Sequence, residues 1–169
     1  MFSFVDKRAP FLRFPGGLLL VLMLVGMVGC QSTKNAKVQP LAPRFYLEQQ
    51  YQSAKRAETV TLPRSGVSVV IDNIPVLVES DFVAVDLMRV ELGFCVRFTL
   101  KRLAARSLYQ ISVQDRGSRL VLVLDGQAMG VRVIDEVFAD GYLFTFLEVS
   151  DEALPGLVES MRAAIEKAR

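Results

Sequence analysis

Histidine is absent from this 169-residue chain, and cysteine occurs only twice, at Cys30 and Cys95. Without an imidazole there is no Ser-His or Cys-His nucleophile pair, and the common zinc sites lose their nitrogen ligand. Long apolar runs are scarce as well. The longest, Leu18 to Val28, carries no charge, yet it falls short of the roughly 20 residues of a comfortable membrane span. Beyond it no apolar run approaches that length. What is plentiful is apolar residues overall: 51% against 22% charged requires a buried core and excludes global disorder. The length suits one domain plus a targeting segment.

The first thirty residues supply part of the apolar excess. Lys7, Arg8 and Arg13 make a basic start, and GGLLLVLMLVGMVGC follows from Gly16 to Cys30. A basic region, a short apolar stretch and small residues at its end are the parts of a secretory signal. Met27-Val28-Gly29-Cys30 resembles the lipobox of bacterial lipoproteins, with Met27 where that family usually has Leu. The resemblance implies lipid attachment to the Cys30 thiol, cleavage after Gly29 and acylation of the new amino terminus. Two or three acyl chains give stable anchoring, at about 0.8 kcal/mol per buried methylene. Gln31 follows the cysteine. In the sorting pattern of many Gram-negative lipoproteins an Asp at that position favours the inner membrane, so the resemblance implies the outer membrane here.

Cleavage would remove three of the 20 basic and one of the 18 acidic side chains, leaving 17 of each. The formal charge of +2 is thus a property of the signal, and no clustered basic surface is expected for nucleic acid. With Cys30 lipidated, Cys95 has no partner in the chain. It sits in an apolar strand pattern, where a free thiol behaves as a small hydrophobe. No cofactor and no metal are expected.

Along the mature chain, Gln31 to Pro43 is polar and proline-bearing and reads as a tether. Phe45 to Leu47 and Thr59 to Leu62 suggest short strands, Arg64-Ser65-Gly66 a turn, and Val67 to Ile71 a clearer strand. Ser80-Asp81 is expected to cap a short turn. Val83 to Leu92 alternates, Gly93 allows a turn, and Phe94 to Leu100 completes a hairpin. Thr99 is expected to cap a helix over about Lys101 to Ser112, with Leu103, Ala104, Leu108 and Ile111 inward. Leu120 to Leu124 reads as a strand inside a sheet covered on at least one face. Asp125-Gly126 is the dipeptide for a tight hairpin whose two central residues need positive φ. Asp125 is therefore a corner residue, since catalytic use would need a polar partner that the sequence does not offer. Ala128 to Ile134 returns, Ala139-Asp140-Gly141 turns, and Tyr142 to Leu147 is an aromatic-rich strand. Ser150 is expected to cap a final helix, with Asp151 and Glu152 at its positive end and Pro155 in its first turn. Leu154, Leu157, Val158, Met161 and Ile165 form its core stripe.

Strand, strand, helix, three strands and a helix predict an α+β ferredoxin-like sandwich, a mostly antiparallel sheet with two helices on one face. The expected parts are a signal at 1–29, a lipidated tether at 30–43, an N-terminal strand extension at 44–73 and an α+β domain at 74–169.

From Ile74 to Glu166 the chain resembles the head subdomain in the first periplasmic region of SecD, the preprotein translocase subunit. The residues carrying the likeness are Pro75-Val76-Leu77-Val78-Glu79-Ser80-Asp81, Leu108-Tyr109-Gln110-Ile111-Ser112-Val113, Asp115 through Gly126, the Ala139-Asp140-Gly141 turn, and the start near Ser150. Gly130-Val131-Arg132 departs from the family's Ser-Ala-Pro before the returning strand. These motifs are turns, caps and core positions, so the resemblance implies a fold more than an activity. The membrane helices of that family have no counterpart, and a proton-driven translocase subunit is not expected. The Val60-Thr61-Leu62-Pro63-Arg64-Ser65-Gly66 segment is also similar to one in small envelope lipoproteins, a likeness that brings no activity with it.

The expectation is a non-catalytic, lipid-anchored envelope protein that acts as a periplasmic interaction module. Its membrane contact runs through the acyl chains on Cys30, and its partner is another envelope protein or an extended segment at a sheet edge. A structural lipoprotein without a client and an accessory factor of protein export are the alternatives. Acid pairs such as Asp135-Glu136 and Asp151-Glu152 are weak grounds for an enzyme, because neighbours on a strand point to opposite faces and acids at a helix start suit its dipole.

Overall fold

The computed structural model describes residues 38–49 and 57–169. Cys30 and the whole of the signal lie outside the described residues. Eight strands form in chain order: β1 Pro43–Leu47, β2 Ala57–Thr61, β3 Ser68–Asp72, β4 Phe82–Val90, β5 Gly93–Leu100, β6 Arg119–Leu124, β7 Gln127–Val133 and β8 Tyr142–Leu147. Two helices accompany them, α1 Arg102–Gln114 and α2 Leu154–Lys167. Six strands build one antiparallel sheet in the order β1-β6-β7-β8-β5-β4, while β2 and β3 form a separate hairpin. This is a mixed α+β sandwich of the expected ferredoxin-like kind.

The sheet is curled. β8 pairs with β5 through Tyr142–Thr145 and with β7 only through Phe146 and Leu147. The curl brings the outer strands together across the core. Phe45 of β1 packs edge-on against Phe98 of β5, with centroids 5.1 Å apart, and lies 6.1 Å from Phe82 of β4. All three rings are fully buried. Where β7 meets β8, a Cβ on Gly130 would overlap the backbone of Phe146, so only glycine allows this approach.

Two cores lie on opposite faces of the sheet. Leu120, Leu122 and Leu124 of β6 face Leu108 of α1 and Val158, Met161 and Ile165 of α2. The intervening Val121 and Val123 pack with Leu62, Val69 and Ile71 of the β2–β3 hairpin. β6 is therefore covered on both faces, and this is why its run has no polar alternation. Fully burying such a side chain contributes about 1.5–3 kcal/mol.

The sheet edges are partly occupied. Phe45 N–H donates to Leu77 O at 2.9 Å, and its carbonyl accepts Val76 N–H at 2.8 Å. On the other edge, Arg162 Nε donates to Val85 O at 2.9 Å, and an Arg169 guanidinium N–H to Val83 O. Such caps blunt strands that would otherwise pair with another chain. The chain leading into β1 is also tied down, since Leu41 N–H donates to Ser160 O at 3.0 Å.

Three local expectations need correction. Thr99 does not cap α1, because it still pairs with Ala84 and Tyr142 in the sheet. The helix begins at Arg102, with Lys101 at the cap position and no side-chain cap bond. Leu103 points outward, 72% exposed, because the seam of α1 runs through Ala104, Leu108 and Ser112. Ser112 tolerates burial by donating to Tyr109 O at 2.8 Å and accepting Phe138 N–H at 3.1 Å. Ser150 does not cap α2 either. A turn intervenes, Ala153 N–H donating to Ser150 O at 3.0 Å, and the helix starts at Leu154 with Pro155 in its first turn.

Candidate functional site

Asp125 is the corner of a hairpin. Its φ of 49° and that of Gly126, 79°, are both positive, as the tight turn between paired Leu124 and Gln127 requires. It lines a cleft of about 330 Å3 with Pro40, Leu41, Arg44 and Tyr46. Arg44 is engaged by Glu79 at 3.3 Å, and no second acid lines that cleft.

The two acid pairs named from the sequence lie in loops and turns. β7 ends at Val133, so Asp135 and Glu136 do not alternate on a strand as expected. They lie in the following loop and converge on one cation, Arg132, whose Nη2 is 2.8 Å from Asp135 Oδ1 and 3.0 Å from Glu136 Oε1. Asp151 and Glu152 lie in the turn before α2. Among the described residues, no three potential metal ligands gather. Cys95 is 2% exposed, and burial raises its thiol above the ordinary range. A raised thiol pKa disfavours the reactive thiolate.

The Val60–Gly66 segment has a structural role. Leu62 is buried, its N–H donating to Val67 O at 2.9 Å. Glu148, just past β8, then fastens the hairpin tip. Its Oε2 accepts Arg64 N–H at 3.0 Å and Ser65 N–H at 2.8 Å, and its Oε1 accepts the Ser65 hydroxyl at 2.7 Å. Partial burial pushes the Glu148 carboxyl up, but the donors from Ser65 and Arg64 outweigh it and hold the group below its usual range.

The hairpin covers only part of its side of the sheet. The uncovered part carries an aromatic row from β8: Tyr142, Phe144 and Phe146 are 38%, 37% and 42% exposed. Strand alternation turns Leu143 and Thr145 inward and these three rings outward. Beside them, Arg97 stands opposite Phe144 on β5. Its guanidinium lies 5.4 Å from the Tyr142 ring centroid and bonds Asp86 at 3.0 Å. Asp86 also accepts Arg162 Nη2 at 3.3 Å. The result is a row of half-exposed rings beside a cation held by Asp86.

Comparison with solved structures bears on the fold. A crystal structure of SecDF in a super-membrane-facing form matches 75% of the chain at 17% identity, with a TM-score of 0.57. A second, of SecDF as a membrane component that enhances protein export, matches 92% of the chain at 16% identity and the same TM-score.

The fold is SecD-like.

The chain spans 19% of the first SecDF chain and 71% of the second. No family model matches it, and no curated protein matches it in sequence. No described helix is long and apolar enough to cross a membrane.

The sequence alone locates this aromatic-rich strand but not the exposure of its rings. Its signal was there, because YLFTFL places a polar Thr145 between two phenylalanines. A small polar residue in phase with Leu143 leaves the rings on the opposite face.

Proposed function

We propose that this protein is a non-catalytic, lipid-anchored envelope protein, held by acyl chains on Cys30 and presenting an interaction module to the periplasm. The outer membrane is its site. The observation that carries the interaction reading is the uncovered sheet face, where Tyr142, Phe144 and Phe146 stay exposed beside Arg97. Aromatic and arginine side chains on a rigid surface are the groups that dominate protein contacts. The candidate acids support the non-catalytic reading: Asp125 is a turn residue, and Asp135 and Glu136 share Arg132. The lipobox-like Met27-Val28-Gly29-Cys30 supports the anchor.

The test is copurification from envelope extracts of the native protein beside the triple variant Tyr142→Ser, Phe144→Ser, Phe146→Ser. A stoichiometric envelope protein, lost in the variant while the fold persists by circular dichroism, is the expected result. Equal recovery with both proteins would sink the reading.

A second reading, an accessory factor of protein export, is favoured by the likeness to SecDF, a component that enhances protein export. A deletion strain that accumulates unprocessed envelope precursors would support it. General envelope fragility with normal processing would favour a structural lipoprotein instead.

A further inference from the structure

α1 carries an unpaid local cost. Lys101, Arg102 and Arg106 crowd its N-terminal half, where the helix dipole disfavours cations. The helix contains no acid, and no side chain caps it. All three cations are exposed. None of them forms a salt bridge among the described residues, although seven such bridges form elsewhere on the domain. Asp140 is held in its own turn, its Oδ1 accepting Tyr142 N–H at 3.0 Å.

Apolar groups share this outer face. Leu103, Arg106, Gln110 and Val113 recur at helical spacing along it. Leu103 is 72% and Val113 52% exposed, and Tyr109 on the flank is 48% exposed. Between α1 and the 139–141 loop runs a groove of about 410 Å3, lined by Arg102, Ala105, Arg106, Tyr109, Gln110 and Ala139. The loop is fixed there, since Gly141 O accepts Leu100 N–H at 3.0 Å. The groove has a small-residue and aromatic floor with an arginine rim.

We infer that this α1 groove docks a protein segment in which carboxylates flank one or two apolar side chains. Charge complementarity identifies the partner: three exposed cations gathered at the start of a helix that carries no acid call for an acidic counterpart. The open hollow of about 410 Å3 between helix and loop has room for an inserted apolar side chain, as a protein segment would supply. The broken local rule at the start of α1 is then offset by the bound partner.

This inference rests on the interaction-module reading and names the chemistry of the partner. Its test places photoreactive benzoylphenylalanine at Gln110, and separately at Phe144, in the full chain in its native cells. Adducts are mapped by mass spectrometry. At Gln110 the expected adduct is a protein segment with acids beside an apolar residue. The exposed pair Arg102→Glu, Arg106→Glu should reduce its yield at least tenfold without lowering Tm, since acids suit this end of the helix. Adducts at Phe144 alone would overturn the α1 inference and leave the interaction module standing. Adducts at neither position would overturn both. A lipid adduct at Gln110, an adduct to a second copy of this chain, or a protein adduct that survives charge reversal would also overturn the α1 inference.

Discussion

Glu148→Ala should loosen the β2–β3 hairpin before it threatens the rest of the molecule. The carboxylate accepts three hydrogen bonds from the hairpin tip, at 3.0, 2.8 and 2.7 Å. A hydrogen bond to a charged acceptor contributes about 1.5–3 kcal/mol when shielded, and exposure here screens each to about 0.5–1 kcal/mol. Losing three therefore costs about 2 kcal/mol. Glu148→Gln keeps an acceptor oxygen but loses the charge, and should cost about half as much. The assay is native-state amide exchange. A 2 kcal/mol loss in the docking of the hairpin raises exchange at Leu62 and Gly66 about thirtyfold. The amides between β5 and β8 should gain less. The pH dependence has a definite sign. The folded carboxyl lies below its usual value, so its contribution is fully present above about pH 4.3 and is lost as pH falls through the lowered folded pKa. The gap between native protein and Glu148→Ala should thus close in acid. Hairpin exchange within twofold of native in Glu148→Ala at pH 7 would refute the reasoning.

Gly130→Ala should cost about 2–3 kcal/mol in chemical denaturation, since the new Cβ meets backbone that cannot swing aside. An unchanged midpoint would contradict the close approach of β7 to β8. Phe45→Ala should cost about 3–5 kcal/mol, because it empties a site shared with Phe82 and Phe98. A loss under 1 kcal/mol would show that β1 is dispensable to the core. Glu48 is held below the usual carboxylate range by its hydrogen bonds to Arg119, against an opposing desolvation. Glu48→Gln should cost about 1 kcal/mol at pH 7. That difference should shrink below about pH 4, as the native carboxylate is protonated, and a constant difference from pH 7 to pH 3 would argue against the pair.

The fold was legible because its signals are local and redundant. The alternation of Val83 to Leu92, the Asp125-Gly126 corner and the apolar stripe of α2 each predict one element, and together they predict its neighbours. Leu103 illustrates what was not legible. A leucine at helical spacing looks like core, but Ser112 takes the seam because two hydrogen bonds satisfy its hydroxyl, and no pattern of hydropathy announces that. Helix starts were also misplaced. Thr99 has the chemistry of a cap, yet its pairing within the sheet outweighs that local preference. The aromatic row and the α1 groove required knowledge of which faces the hairpin and the loops leave bare. Burial of Thr145 follows from its phase with Leu143, whereas the exposure of Phe144 and Phe146 depends on where a distant hairpin stops.

The account stands most directly on the state of Cys30. The decisive measurement is intact mass and fractionation of the protein from its native cells, beside Cys30→Ser. The account predicts a chain beginning at an acylated Cys30, recovered in the outer-membrane fraction, with neither the mass nor the location surviving in Cys30→Ser. An uncleaved chain, or a cleaved one without lipid in the soluble fraction, would contradict the anchored module.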